Sequence, residues 1–425
     1  MNVIPAPTVE TRSAASGLAV FSVIASTALT AVGNGLMFAY IPISLGAAGY
    51  APAWAGSILT ALSAGGLVGC LTTGAIVRRA DHARAFMIFS ALIVLSNALV
   101  AAGVYPVLWL AARALYGFAI GGMFIVAQSW LNDAVENSIR GRVMAIFYVA
   151  YIVGLGCGSL LLGQLDIAGA AGPLAAIAFT AFAILPVGMT RLPQPAPPAR
   201  ASLALGRAWR ISPVGVAGML AVGGLSMMIA GFAPIHATAS GFSQSQVAAL
   251  MFAMPLGTLF VQIPLGWVSD RTDRRHVLIA AALLVVGFGV LAGVLDGSAL
   301  VVLIVIYMVW DGASESIYSL ATAHAGDRAG RDEMVQLQSA MLFAWSLSGF
   351  VVPGIGTLLT GFYGTVAFIW VAVVIAAAYA LFVGWRLMRA EAAPAAETVN
   401  FQPLPATAPL PVELTAAEQA SQSPR

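Results

Sequence analysis

The stretch "YMVWDGASESIYSL" places two acidic residues, Asp311 and Glu315, inside an apolar run. They are four apart, so on a helix they share a face, which continues through Ser314 and Tyr318. With the run taken as 299–323, Asp311 falls at its midpoint. A second apolar run carries one basic residue, Arg113, in "RALYG". Charges at membrane depth cost about 2.5–3.5 kcal/mol at a helix centre on insertion scales, and they mark ion, proton and substrate sites. A carboxyl there can bind and release a proton or a cation, and an arginine can switch it. The alternative is a buried ion pair of Arg113 with one carboxyl. Depth argues against a simple pair. Counted inward from the same face, Arg113 is about seven residues in, Asp311 about twelve and Glu315 about sixteen, or roughly 8 Å and 14 Å apart at 1.5 Å per residue. A long arginine reaches Asp311 at best, which leaves at least one carboxyl without an evident partner.

These residues sit in a chain built for lipid. Of its 425 residues 60% are hydrophobic and 8% charged, against roughly 25% charged in soluble domains. Apolar runs recur at 17–45, 52–77, 84–104, 106–131, 143–165, 172–190, 213–236, 246–269, 277–295, 299–323, 335–361 and 364–388. A spanning helix needs about 20 apolar residues, and helices satisfy their own backbone in lipid. The expectation is an all-α membrane protein of twelve transmembrane helices. The first run is too long for a signal-peptide core and reads as a retained span.

The basic residues orient these spans. There is no lysine, and every arginine except Arg113 falls in loops after even-numbered spans, at the helix ends entering them, or in the tails. By the positive-inside rule both termini and the 191–212 loop are cytoplasmic. That Pro- and Arg-rich loop divides the chain into bundles at 17–190 and 213–389, between an N-terminal tail at 1–16 and a tail at 390–425 expected to be disordered. Trp54, Trp109, Trp130, Trp209, Trp267 and Trp385 fall near span ends, where an interfacial belt is expected. Cys70 and Cys157 read as packing residues, and nothing suggests a metal or a cofactor.

A charged knot appears twice: "GAIVRRADHAR" from residue 74 and "GWVSDRTDRRHV" from residue 266, offset by 266 − 74 = 192. Two halves with one layout form a parallel repeat of the kind transporters use. Gly266, Asp270, Arg271, Arg274 and Arg275 carry a G-x-x-x-D-R-x-x-R-R pattern that resembles the cytoplasmic signature of the major facilitator superfamily. The first half holds a decayed copy, with Gly74, Arg78 where the family has Asp, Arg79 and Arg84. "RALYG" in span 4, "RGR" at Arg140 to Arg142 and "GFVVPGIG" in span 11 are similar to further patterns of that family.

The resemblance, over all twelve spans, implies two pseudo-symmetric six-helix bundles and a cavity lined by spans 1, 4, 7 and 10. That adds Asn34, Tyr116, Gln128, Met227, Ser314 and Tyr318 to the candidate wall. Interhelical hydrogen bonding is the alternative for Asn34 and Gln128, and packing for Met227. His236, near a span end, is expected to be wet. The two-fold arrangement also implies latches between halves. Asp270 would face the start of span 5, at Arg140 and Arg142, and Arg78 or Arg79 would face Asp332 and Glu333. The alternative is that these are topology charges only.

No H-E-x-x-H, G-x-S-x-G or Walker A pattern supports an enzyme or a primary pump. The expectation is a monomeric secondary transporter of a bacterial inner membrane, moving a small solute by alternating access. It is expected to be coupled to protons, with efflux or exchange favoured. An uncoupled facilitator and a non-transporting receptor or scaffold are the alternatives.

Overall fold

A computed structural model describes residues 17–135, 137–189, 205–295, 299–330 and 333–389. Both tails, most of the 191–212 linker and Asp332 lie outside the described residues. The regular elements are helices: α1 Gly17–Ala47, α2 Pro52–Ala101, α3 Pro106–Ala134, α4 Asn137–Leu162, α5 Ala171–Met189, α6 Leu205–Ile211, α7 Pro213–Ala239, α8 Gln244–Ser269, α9 Arg274–Val294, α10 Leu300–Gly326, α11 Met334–Tyr363 and α12 Ala367–Arg389. Among the described residues eleven are long and apolar enough to cross a membrane, and α6 is the short exception. The 50 residues of α2 are far too long for one crossing of about 30 Å. Its backbone breaks at Asp81 (φ 66°, ψ 172°), so α2 supplies spans 2 and 3. The total is twelve spans, and from α7 onward helix and span numbers coincide.

The break at Asp81 sits inside the first charged knot. Asp81 is the one described non-glycine residue with positive φ, and its carboxylate accepts from the Arg84 amide at 3.0 Å. That capping bond restarts the helix for the second arm. Elsewhere the ends follow local chemistry. Ser243 and Gln246 form a reciprocal capping box at the start of α8, and Asp273 caps α9 by accepting from the Arg275 amide at 3.0 Å.

The repeat survives as geometry. Gly49 (φ 78°) turns the chain after α1 and Gly241 (φ 83°) after α7, with 241 − 49 = 192. Both need a left-handed backbone that glycine adopts without a steric penalty. Gly65 of α2 lies so close to α3 that a Cβ would strike the Ala114 carbonyl, and Gly257 of α8 lies as close to the Met308 carbonyl of α10. Again 257 − 65 = 192. The α1–α4 pair is closed by Gly35 and Gly158, and the corresponding α7–α11 pair by Gly223 against Trp345. Small residues give helices in lipid their close packing, because lipid is as apolar as the side chains.

Large apolar residues such as Phe260, Leu358 and Leu381 are exposed on the outside of the bundle, where a bilayer would cover them. Two expected belt residues are elsewhere. Trp109 and Trp130 are buried in the bundle; the Trp109 indole donates to the Gly103 carbonyl at 2.8 Å, and Trp130 packs against His82. Trp209, Trp267 and Trp385 are exposed as expected.

Candidate functional site

At mid-bundle both halves line a cavity of about 190 Å³. The first half contributes Asn34 and Phe38 from α1, the 62–70 face of α2, Phe124 of α3 and Tyr151 of α4. The second half contributes Ser226 and Met227 of α7, Met251 of α8, Glu315 of α10 and Trp345 of α11. The wall is apolar apart from a few groups. Ser226 donates to Glu315 Oε1 at 2.6 Å, and Asn34 Nδ2 donates to the Tyr151 hydroxyl at 3.5 Å. Glu315 is buried at 7% exposure while lining the space.

Asp311, one helical turn away, is buried but does not line this cavity. Its Oδ1 has no hydrogen-bond partner among the described residues. Gly312, beside it, abuts the Gly257 backbone of α8, so this turn of α10 is packed while the next is open.

Arg113 lines a second, smaller cavity of about 30 Å³, toward the end of the bundle without arginines. Phe38, Leu62 and Gly231 border both spaces and form an apolar partition. The guanidinium lies 4.0 Å from the Tyr116 ring centroid, a cation–π contact. Its Nη1 has no hydrogen-bond partner among the described residues, and among them it forms no ion pair. The expected separation of Arg113 from Glu315 therefore holds in this state.

The other candidate wall residues divide. Asn34 and Met227 line the cavity. Gln128 is buried and donates to the Tyr148 hydroxyl at 2.8 Å, the interhelical alternative. Tyr116, Ser314 and Tyr318 are buried between helices; Tyr318 packs edge-on against Trp345. The span assignment was legible, but a helix rotation of one residue step moves a side chain out of the wall. His236 is a correction: it is 6% exposed, shares a 2.8 Å hydrogen bond with Thr365 and packs on Phe368. The start of α12 covers it.

The halves touch toward the end without arginines. Gln244 of α8 donates to the Leu162 carbonyl and, at 2.8 Å, to the Leu165 carbonyl. Thr60 and Thr357 approach to 3.5 Å. A Cβ on Gly46 would lie 3.0 Å from Thr238, and one on Gly231 would collide with Leu59.

At the arginine-bearing face the second knot is built into its own half. Arg274 donates from Nε to Asp327 Oδ2 at 2.8 Å, at the end of α10, and from Nη1 to Ser269 at 3.0 Å. Asp270 lies 3.5 Å from Arg274. Arg275 grips Asp273 at 2.6–3.1 Å, and Arg271 stacks 4.0 Å from Trp267. Burial alone would raise the Asp273 carboxyl, but the hydrogen bonds and charge of Arg275 bring it below the usual aspartate range. Arg328, just past α10, is pushed down by burial and by neighbouring Arg275. Asp327 was missed by sequence reading, being an ordinary loop charge there.

The first knot is exposed at Arg78, Arg79 and Arg84; Arg84 and Asp81 are 3.7 Å apart on the surface. Glu333 is held at 2.9 Å by Arg207 of α6, so in this state the carboxylate expected to meet Arg78 or Arg79 is engaged elsewhere. Arg140 donates to the Val135 carbonyl at 3.4 Å, and Arg142 is exposed.

Comparison with known proteins places this architecture. The family model for the Major Facilitator Superfamily matches residues 23–214 and again 214–417. An uncharacterized MFS-type transporter of Yersinia pestis (strain Pestoides F) is 25% identical over 317 residues, covering 72% of this chain and 80% of the relative. An uncharacterized MFS-type transporter YcaD of Salmonella enteritidis is 23% identical over 318 residues, with the same coverage. Among solved structures, a nucleoside transporter NupG superposes with TM-score 0.66 at 13% identity, over 87% of this chain and 99% of its own. A D-xylose-proton symporter gives 0.64 at 13%, over 87% and 97%. An auto-inhibited POT family peptide transporter gives 0.67 at 14%, over 92% and 99%. With twelve spans, a doubled family match and these folds in agreement, the chain is a multi-pass membrane protein and belongs to the major facilitator superfamily of transporters.

Proposed function

We propose that this protein is a proton-coupled secondary transporter of a small solute, working by alternating access, with efflux or exchange as its direction. The observation that carries the reading is the mid-bundle cavity, walled by both halves, with the Glu315 carboxylate on its wall. A site shared by two halves opens to one side or the other when the halves rock. In this reading the structure is the state sealed at the end without arginines. The seal consists of Gln244 on the Leu162 and Leu165 carbonyls, Thr60 beside Thr357, and Leu59 against Gly231.

Glu315 holds the solute or the coupling proton, Asp311 is its reserve partner one turn away, and Arg113 is the switching charge. The apolar partition of Phe38, Leu62 and Gly231 keeps Arg113 apart from Glu315 here. Moving that partition would bring positive charge toward the carboxylate and favour its ionised form. When the arginine-bearing face closes, Asp270 faces the Arg140 and Arg142 end of α4, and Arg78 or Arg79 competes with Arg207 for Glu333. The bundles at 17–190 and 213–389 move about the 191–212 linker. Both termini are cytoplasmic, in a bacterial inner membrane, because the arginines gather on one face. The unit is a monomer, since each chain carries both halves of its cavity.

Purified protein is screened for small solutes that raise its melting temperature, then reconstituted with an internal pH dye. A bound solute added to one side should move protons. A solute that crosses with no proton movement would leave an uncoupled facilitator. Cysteine labelling on a background lacking Cys70 and Cys157 checks orientation. Sites near Gly297 and Gly364 should label from outside intact cells, and a site near Arg200 should not.

A further inference from the structure

The cavity wall is specific about charge and poor in free hydroxyls. Its large surfaces are Phe38, Phe124, Tyr151, Trp345, Met227 and Met251, aromatic rings and soft thioethers that suit an apolar or aromatic body. The hydroxyls along it are already engaged. Ser159 donates to the Gly35 carbonyl at 3.1 Å, Ser63 to the Leu59 carbonyl at 3.1 Å, and Ser226 to Glu315. Such a wall gives a polyhydroxylated solute little to replace its water.

Two side-chain oxygen groups stand out among the wall residues. One is the Glu315 carboxylate, which accepts from Ser226. The other is Asn34 Oδ1, which lies buried behind the wall and has no hydrogen-bond partner among the described residues, while Asn34 Nδ2 donates to Tyr151. The guanidinium that an anion would seek is in the other cavity, behind Phe38, Leu62 and Gly231. An anionic solute would meet Glu315 with no positive charge on this wall.

We propose that the central cavity binds a monovalent organic cation, a protonated amine on an apolar aromatic-sized body. Its ammonium sits at Glu315 and Asn34 Oδ1, and its body lies against Phe38, Phe124 and Trp345. This rests on the reading of the cavity as the transport site and names its substrate class. It also gives a form of exchange. The protonated carboxyl of Glu315 loses its proton to water as the ammonium enters, leaving a carboxylate–ammonium pair, and regains it when the cation leaves. Cation and proton compete for one carboxylate, so acid weakens binding. The other titratable groups around Glu315 are Asp311 on its own helix, Tyr151 of α4 and Cys70 of α2 across the cavity. The wall residues of α7, α8 and α11 carry none.

The test uses three probes of one shape and different head charge: 4-phenylbutylamine, 4-phenylbutanol and 4-phenylbutyrate. Binding to the purified full chain is measured by titration calorimetry at pH 6 and pH 8, in buffers of different ionisation enthalpy. The amine should bind about tenfold or more tightly than the alcohol or the acid, as a charge-assisted hydrogen bond allows. Its affinity should rise by up to about tenfold per pH unit, with proton release. Glu315→Gln should erase both the amine preference and the pH dependence. Trp345→Ala should weaken all three probes and keep the preference. Equal binding of the alcohol or the acid, an amine preference that survives Glu315→Gln, or no binding of any probe overturns the proposal. Failure of the transport reading looks different. In proteoliposomes the amine would bind yet never respond to a gradient, whereas a gradient-driven neutral or anionic solute with no amine binding sinks the cation site alone.

Discussion

The two charged knots share a pattern 192 residues apart and are held in different ways. The second, at 266–277, is sunk into its own half. Arg274 and Arg275 are each 4% exposed, and Arg274 ties the α8–α9 turn to Asp327 at the end of α10. In the first, at 74–84, Val77 and His82 are buried but the arginines Arg78, Arg79 and Arg84 are exposed, with Arg84 and Asp81 at side-chain exposures of 73% and 39%. The same asymmetry recurs inside the bundle. The second half places Asp311 and Glu315 on α10, the helix its knot holds. The first half places there only Arg113, answered by the Tyr116 ring. One scaffold thus appears twice: one half carries two buried carboxyls and a fixed charged base, and the other a single buried arginine.

That contrast can be broken. The largest stability difference should come from Arg274→Ala against Arg84→Ala. Removing one partner of a buried pair costs about 3–5 kcal/mol, whereas an exposed pair contributes about 0–1 kcal/mol. Thermal unfolding of the purified variants checks this, and similar losses at both sites would end the distinction. The shared scaffold should respond alike. Gly65→Val and Gly257→Val each force a side chain into a neighbouring carbonyl, and each should cost about 1–3 kcal/mol or more, as overpacking does. A large loss at only one of them would confine the repeat to sequence. Arg207→Ala removes an exposed pair, at 52% and 30% exposure, and should change stability by less than about 1 kcal/mol. It would also free Glu333 for Arg78 or Arg79 and raise labelling of a cavity cysteine from the arginine-free side. Smallest is the acid response of Asp273. A carboxyl held below its ordinary value of about 3.9 stabilises the fold above that value, and the benefit is lost as pH falls through the lowered one. Asp273→Asn should remove that benefit near neutral pH and flatten the acid limb, so that thermal unfolding of parent and variant converges as pH falls.

Much of this was legible in the sequence because hydropathy and charge report burial in lipid directly. The twelve spans, the repeat, Arg113 and the α10 carboxyls could all be read from it. Helix rotation was harder. Core-facing and lipid-facing sides of these helices are both apolar, so nothing in the pattern said that Gln128, Ser314 and Tyr318 turn between helices while Asn34 and Met227 face the cavity. Charges at loops read as topology signals, so Asp327 gave no sign that it anchors Arg274. The polar run at 78–83 read as a break between helices, while the backbone departs from helix only at Asp81. His236, Trp109 and Trp130 sat where hydration is expected, and only the packing of neighbouring segments buried them.

The most direct measurement is gradient-driven transport by the reconstituted parent, Asp311→Asn and Glu315→Gln, using a solute that raises the parent's melting temperature. Both variants keep side-chain shape and remove a titrating group. Glu315→Gln should still equilibrate the solute across the membrane but no longer accumulate or expel it against its gradient, a loss of about a hundredfold or more in coupled rate, or roughly 2.7 kcal/mol. Asp311→Asn should retain more of the coupled rate, because its carboxyl is off the cavity wall. If Glu315→Gln drives the solute against a gradient as well as the parent does, the carboxylate on the cavity wall is structural and the coupling group lies elsewhere.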